Sequence, residues 1–455
     1  MNDKNRIRSA RITLAALIVC ACNSLFAGGS DDSIKIDARL DRPVIHANQT
    51  GKVVVQIEIL PDEIVSRVDR APVNLGLVLD RSGSMRGEKM DRAIDAARLA
   101  VAQLGPQDII SVVLYDNEIE TIAPAGKAAN EYRESIRREL AKVTARGNTA
   151  IYGGLTQAAA ELRKFGKEGY VNRLILLSDG LANQGPSAPS DFERLANAFA
   201  NEDFIVSTVG LGMDFNEDIM TTLAAAGQGN TYFVETAADL PRIFERELGD
   251  ALNVAATDVE ITVRGREGIR VVRGIGREAE LDENRVARLR IPQVYGGWDK
   301  LALLELEVPP GKAGESRELI DIEVAYRVVG SDEVSKQVLV VPVTFSEARE
   351  KIVEAVQEDV VVNVASNRVA ESKAQAIAFA DKGDTDRASE VMRAAASDLV
   401  REYDSFGAAP AVAPMAAEVE EEAEEVSSLG LSNRKRKLYR SQSYQIVNQQ
   451  QSSEN

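Results

Sequence analysis

Thiols and imidazoles are almost missing from this 455-residue chain: both cysteines, Cys20 and Cys22, lie at the extreme amino terminus, and His46 is the single histidine. A Cys/His zinc cage or a Ser-His-Asp triad therefore cannot be assembled anywhere except around His46. Aromatic residues make up only 5% of the chain, with one tryptophan. Positive charge is also scarce, with 54 Lys and Arg against 71 Asp and Glu, a formal net charge of −17. A surface that neutralises phosphates needs a local Lys/Arg excess, so neither nucleic acid nor anionic lipid is an expected partner. What remains for chemistry is carboxylates, hydroxyls and backbone. The apolar content of 44% in a chain of this length is enough for two or three domains.

Lys4, Arg6, Arg8 and Arg11 precede an apolar run from Ile12 to Ala21, and Ser24-Leu25-Phe26-Ala27 follows before two glycines. This pattern predicts a signal peptide over residues 1–27, cleaved after Ala27, and so an exported protein in the periplasm, cell envelope or extracellular space. The apolar run is too short to span a bilayer, so no transmembrane helix is expected in the mature chain. Lipid attachment is the lesser alternative, since Cys20 and Cys22 sit in poor contexts for it. Cleavage removes four basic residues and one acid, taking the formal charge from −17 to −20. With no cysteine left, core packing and a metal are the available means of holding the fold.

After residue 28, Ile34 to Ala38 and Val53 to Leu60 alternate apolar and polar residues as half-buried strands do. Over residues 71–253 the pattern becomes strand and helix in alternation. Val73 to Asp80 is a nearly unbroken apolar run, as a strand buried on both faces requires, and Met90, Ile94, Ala97, Val101 and Leu104 recur at helical spacing. Further strands are expected at Ile109–Tyr115, Arg173–Ser178, Phe204–Gly210 and Thr231–Val234, with helices between them and a last helix from Ala238 to Leu252. The fold class is α/β, a Rossmann-like doubly wound sheet. Residues 254–345 return to strands, and the segment 28–70 is expected to join them in one β-sandwich that receives the α/β domain as an insertion. Two separate β-units are the alternative. Residues 346–406 predict a helical hairpin broken at Lys382-Gly383-Asp384. Residues 407–455, with the acidic run Glu418 to Glu425 and a Gln/Ser-rich end, are expected to be disordered.

Ligand sites in open α/β sheets form at the carboxyl ends of strands. The first buried strand ends in Asp80-Arg81-Ser82-Gly83-Ser84-Met85, a later one in Ser178-Asp179-Gly180, and Gly147-Asn148-Thr149 precedes a helix. Asp80, Ser82, Ser84, Thr149 and Asp179 can thus meet at one edge, an all-oxygen set suited to a small hard dication such as Mg2+, with Mn2+ or Ca2+ as substitutes. In this reading Ser82 and Ser84 bind directly, Thr149 binds directly or through water, and the two aspartates neutralise the charge.

Asp80-x-Ser82-x-Ser84, with Thr149 in GNTAIYGGL and Asp179 in LLSDG, resembles the metal-ion-dependent adhesion site of von Willebrand factor type A domains. VGLGMDFNEDIM and GQGNTYFVE are similar to the last strands of that family. The resemblance implies a Rossmann-like fold, divalent-metal binding and recognition of a protein ligand that offers a carboxylate to the metal, and no enzymatic activity. The wider layout resembles bacterial secreted or envelope proteins in which such a domain sits between β-rich segments, with Tyr295-Gly296-Gly297 and Leu303 to Pro309 as the shared stretches. A structural or assembly subunit of an envelope complex, its metal only stabilising, is the alternative function.

Other residues have plainer readings. Asp116 reads as a loop acid, and Asp214 and Asn216 as a capped helix start, with a metal-proximal place as the alternative. His46 reads as a surface or capping residue without a paired nucleophile. Tyr295 and Trp298 beside two glycines suggest a turn packed on the sandwich rather than a sugar platform. Arg434 to Lys437, with Tyr439 and Tyr444, can bind a partner or fold back on the acidic run.

Overall fold

The computed structural model describes residues 33–63, 70–166, 169–331 and 333–450. The expected leader over residues 1–27 lies outside the described residues. Strand β1 (Ile34–Leu40) buries every second residue, β2 (Val44–His46) is short, and β3 (Gly51–Pro61) carries the run Val53-Val54-Val55 into the interior.

The chain then leaves for the inserted domain. There β4 (Val73–Asp80) is followed by α1 (Glu88–Gln103), β5 (Ile109–Tyr115), β6 (Ile119–Lys127), α2 (Asn130–Leu140), α3 (Ile151–Arg163) and β7 (Val171–Ser178). Next come α4 (Pro189–Ala200), β8 (Phe204–Leu211), α5 (Glu217–Ala226), β9 (Gln228–Val234) and α6 (Leu240–Ala251). The strand order is β6-β5-β4-β7-β8-β9, all parallel except β6. Every residue of β4, β5, β7 and β8 is buried, which accounts for their continuous apolar character. Helices α1, α2 and α6 cover one face of the sheet and α3, α4 and α5 the other. Strand β6 has no counterpart among the expected elements. It is an antiparallel edge with Pro124 within it, irregular in register and with only Ala123 buried, so it lacks the buried-strand signature.

The return path supplies β10 (Val254–Gly265), β11 (Arg270–Ile275), β12 (Glu280–Leu281), β13 (Ala287–Tyr295), β14 (Lys300–Val308), β15 (Ser316–Val328) and β16 (Val334–Ser346). Two sheets form, β1-β3-β14-β11 and β12-β13-β10-β15-β16-β2, so strands from both sides of the insertion contribute to each. Their inner faces share one core running from Ile34 to Phe345. Among the described residues this is one interrupted sandwich rather than two separate β-units. The exit and the re-entry lie side by side: Gly297 N–H donates to Pro61 C=O at 3.1 Å and Gly296 N–H to Asn253 C=O at 2.8 Å. Closely spaced ends let a domain be inserted without distorting its host. Trp298 N–H closes the same turn on Tyr295 C=O at 3.1 Å, so the Tyr-Gly-Gly-Trp stretch is a turn, with Tyr295 buried and Trp298 exposed.

Five helices follow: α7 (Arg349–Glu354), α8 (Glu358–Ala380), α9 (Thr385–Asp404), α10 (Ala409–Leu429) and α11 (Asn433–Val447). The expected break between α8 and α9 is present, with Gly383 at φ +79° and the Asp384 side chain accepting from Arg387 N–H at 3.2 Å. Val360 and Val364 seat α8 on Val54, Ile275 and Leu303 of the sandwich.

Residues 407–450 depart from the expectation of disorder, since they form α10 and α11. Alone, this segment has too little apolar surface. Against α8 and α9, however, α10 buries Val412, Ala416, Val419, Ala423 and Val426 as one stripe. Its acids find partners, Glu422 with Lys373 at 2.7 Å, Glu420 with Arg393 at 3.5 Å, and Glu425 with Lys435. The basic cluster therefore folds back, in part on the acidic run itself. His46 is a half-buried residue of β2, opposite Ser346 in register. Among the described residues, no helix is long and apolar enough to cross a membrane.

Candidate functional site

The doubly wound sheet reverses direction beside β4. The chain builds β5 and β6 to one side of it and then returns to place β7, β8 and β9 on the other. The carboxyl ends of β4 and β7 consequently open onto the crevice where such sheets hold ligands. Asp80 ends β4, and Asp179 follows directly on Ser178, the last residue of β7.

Four of the expected site residues form one hydrogen-bonded set. Asp80 Oδ1 accepts from Ser82 N–H at 2.7 Å, Ser82 Oγ lies 3.0 Å from Ser84 Oγ, and Ser84 Oγ donates to Asp179 Oδ1 at 2.6 Å. Thr149 is brought to the same place by its loop: a Cβ built on Gly180 would lie 3.4 Å from Thr149 Oγ1 and 3.5 Å from Ser84 Oγ. Two hydroxyls thus border a small gap above Gly180, and Ser84 continues it to Ser82 Oγ and Asp179 Oδ1. Ser82 is the N-cap of a short 3-10 turn, Gly83–Met85, that carries Ser84.

Several supporting residues were not singled out by the sequence. Ser178 donates to Asp80 Oδ2 at 2.8 Å, so both oxygens of this fully buried carboxylate are satisfied. Burial pushes Asp80 up to about 6, against the opposing pull of the Ser82 and Ser178 hydrogen bonds, with the nearby Asp179 charge adding to the rise. Lys89, the second residue of α1, places its ammonium 2.6 Å from Asp179 Oδ2. Asn183 Oδ1 accepts from Thr149 N–H at 2.8 Å and fixes the threonine loop. The spacing of Lys89 after Ser84 carries a signal only once the turn and helix are known, because the contact depends on where α1 begins.

Asp116 is more than a loop acid. It is buried and accepts from Arg146 Nε at 2.7 Å, Arg81 Nε at 3.0 Å and Glu118 N–H at 2.6 Å. Burial works against its charge, but the Glu118 N–H and the Arg146 and Arg81 guanidiniums prevail and hold it below the usual carboxylate range. Its backbone C=O also receives Ala150 N–H at 3.1 Å, while Arg146 N–H reaches Arg81 C=O at 2.7 Å and Gly83 N–H reaches Gly147 C=O at 3.0 Å. Asp116 therefore ties the Asp80–Ser84 loop to the Thr149 loop. Gly147 is required where those loops touch: its φ is +73°, and a Cβ there would come within 2.6 Å of Asn117 Oδ1.

Asn216 caps α5, accepting from Asp218 N–H at 3.0 Å and Ile219 N–H at 3.1 Å, and Asp214 is exposed beside it. Neither joins the five-residue set. The rim of the crevice carries exposed apolar side chains, Leu181 at 56% and Met213 at 41%. Each follows a glycine of the site region: Gly180 faces Thr149 and Ser84, and a Cβ on Gly212 would lie 3.6 Å from Lys89 Nζ. Among the described residues no group of three or more His, Cys, Asp or Glu side chains is gathered as a metal cluster. Any ion here would be held largely by hydroxyls, and such a hard-oxygen donor set fits a magnesium-like cation.

Residues 73–233 match the family described as von Willebrand factor type A domain. An uncharacterized protein of Synechocystis is 29% identical over 192 residues, 42% of this chain and 44% of that protein. Inter-alpha-trypsin inhibitor heavy chain H3 of Pongo abelii is 25% identical over 197 residues, 42% of this chain and 22% of that protein. The matched region spans less than half the length of either relative. The structure of a von Willebrand factor type A protein from Catenulispora acidiphila superposes with a TM-score of 0.63 at 17% identity, covering 88% of this chain and 98% of that one. That likeness is one of fold, and it extends beyond the inserted domain to the sandwich and helices.

Proposed function

Starting from the von Willebrand factor type A domain at residues 73–233, we propose that this chain is an exported, metal-dependent protein-binding module whose cation captures an acidic residue of a partner. Domains of this type are commonly protein-interaction modules. The observation that carries the reading is the gap above Gly180, edged by the hydroxyls of Ser84 and Thr149 and continued by Ser82 and Asp179. Ser82, Ser84 and Thr149 would hold Mg2+, or Mn2+ or Ca2+ in its place, while Asp80 and Asp179 supply negative charge. Bound there, the ion offers an electropositive coordination position for a carboxylate.

The chain's own residues do the rest. Ser178 and the Ser82 N–H hold Asp80 rigid, Asn183 and Asp116 set the height of the threonine loop, and Lys89 offsets one oxygen of Asp179. Leu181 and Met213 supply an apolar rim of the kind that gives a docked protein its packing contacts. No histidine or spare carboxylate of the set stands free to act as a base, which favours binding over hydrolysis. Export is supported by the basic-then-apolar start and by a body without cysteine.

Titration calorimetry tests the metal. Magnesium should give saturable heat with wild-type protein and none with Asp80→Ala, and no heat from folded wild type would sink the reading. Partner capture from an envelope extract should be chelator-sensitive and lost in Ser82→Ala. Capture that survives both chelation and Asp179→Ala would instead favour the structural or assembly subunit.

A further inference from the structure

The inserted domain, the sandwich and α11 meet around a second cavity, of about 270 Å³, which shares no lining residue with the Asp80 set. Asn230 of β9, Arg277, Arg290 and Lys300 of the sandwich, and Tyr444 and Asn448 at the end of α11 contribute to its wall, and no carboxylate does.

Two of these cations, Arg277 and Lys300, make no ion pair with a carboxylate among the described residues. Arg277 donates from Nη1 to Arg290 C=O at 3.4 Å and from Nη2 to Asn448 Oδ1 at 3.2 Å, both neutral oxygens, and its buried Nε has no hydrogen-bond partner among the described residues. Lys300, itself buried, spends its ammonium on two more neutral acceptors, Asn448 C=O at 2.6 Å and Gln449 C=O at 3.2 Å. Burial, with Arg277 alongside, brings Lys300 down to about 8 despite the opposing charge of Asp250. The nearest acids are already committed. Glu247 pairs with Arg173 at 2.8 Å and accepts from Asn230 and Tyr232, and burial beside Glu247 pushes Asp250 up to about 7.

Charge buried without a counter-charge is costly, and the cost is removed when an anion enters. A guanidinium with a free Nε beside an ammonium matches the tetrahedral oxygens of a phosphate group, which takes several charge-assisted hydrogen bonds at once. We propose that this junction is a binding site for a small phosphate-class oxyanion, held by Arg277 and Lys300, with the exposed Arg290 at its mouth. Because its walls come from three parts of the chain, the occupant also fastens α11 to the inserted domain.

Calorimetry on the full chain at neutral pH, without divalent metal, tests this with two probes, inorganic phosphate and glycerol 3-phosphate. Saturable binding of either one supports the site, and which of the two binds more tightly tells a free ion from a phosphomonoester. Arg277→Gln should weaken that binding about tenfold or more, and Arg290→Gln by less. The melting temperature of wild type should also rise with phosphate and stay unchanged with chloride at equal ionic strength, a readout that holds if Arg277→Gln fails to fold. The proposal is overturned by absence of binding and of a melting shift for both probes at about 10 mM, or by a folded Arg277→Gln that binds as wild type does. Magnesium binding at the Asp80 set is independent of all of these outcomes.

Discussion

Gly180 shows how little separates a usable site from a filled one. Its missing side chain leaves the space that Thr149 Oγ1 and Ser84 Oγ border at 3.4 and 3.5 Å, ordinary contact distances for a methyl group. Gly180→Ala should therefore fold normally, with a stability change of about 1 kcal/mol or less, while weakening magnesium binding about tenfold or more by occupying the gap. Calorimetry paired with a thermal melt checks this. Unchanged affinity in the alanine variant would mean that the ion, if bound, sits elsewhere. At this scale the sequence was most readable for residues whose job is chemical. Asp80, Ser82, Ser84 and Asp179 stand in short motifs at strand ends, and Thr149 in one just before a helix, where side-chain type and position together point to the crevice. The residues that hold them, Ser178, Asn183, Lys89 and Asp116, carry no such mark. Their roles depend on which loop lies opposite, and a buried Asp116 joined to two arginines reads in sequence like any other loop acid.

Helix α6 shows the same division at the scale of an element. The sequence predicts a helix from Ala238 to Leu252 closing the domain, but its buried face also carries Glu247 and Asp250. Glu247 is fully buried with Arg173 of β7 and accepts from Ser207, Asn230 and Tyr232, while Arg173 reaches on to Gln293 and Tyr295 of the sandwich. The last helix is thereby pinned to three strands and, through Arg173, to the host sheet. Movement of α6 on ligand binding would have to break this network, whose loss leaves a buried charge unpaired at a cost of about 3–5 kcal/mol.

Asp250 makes the helix pH-sensitive. Its folded pKa, about 7, is raised above the ordinary carboxylate value by burial and by Glu247, so the folded state holds the proton more tightly than the unfolded one. The resulting stability is fully present at low pH and is lost as pH rises through about 7. Asp250→Asn should remove this loss, giving a melting temperature that falls less than that of wild type between pH values of about 5 and 8. Parallel pH profiles for the two proteins would refute it.

For the whole molecule, the decisive element is the carboxyl-terminal one. Strand β9 is one edge of the inserted sheet, and α11 with the residues after it covers that edge: Tyr444 Oη donates to Gly229 C=O at 2.6 Å, and the Gln450 amide both donates to Thr231 C=O at 3.0 Å and accepts its N–H at 3.2 Å. A side-chain amide here takes the place of a neighbouring strand, one way of managing an exposed edge. On the same helix Arg436 joins Asp218 at 2.8 Å and Asp381 at 2.8 Å, and Lys437 meets Glu217, so α11 links the inserted domain to the helical layer. Deleting residues 431–450 should lower the melting temperature by several degrees, split unfolding into separate transitions, and free β9 to pair between molecules. Calorimetry and light scattering would register these changes, and a single unaltered transition from a monomer would count against the strap.

What the sequence determined by itself was periodicity and local chemistry: continuous apolar runs for strands buried on both faces, helical stripes between them, oxygen-bearing motifs at strand ends, and strands before and after the α/β block that lacked partners of their own. Those features follow from each segment's need to bury one face or two, which neighbouring residues already encode. Tertiary structure decided what depends on distant partners. It brought β1 to β3 into the same sandwich as β10 to β16, and it turned residues 407–450 from a segment with too little apolar surface into two helices by providing α8, α9 and β9 to pack against. It also set Arg277 and Lys300 in the wall of a cavity to which no carboxylate contributes. A charge or a half-apolar stripe acquires its meaning from what stands across from it, and that is fixed only when the whole chain has folded.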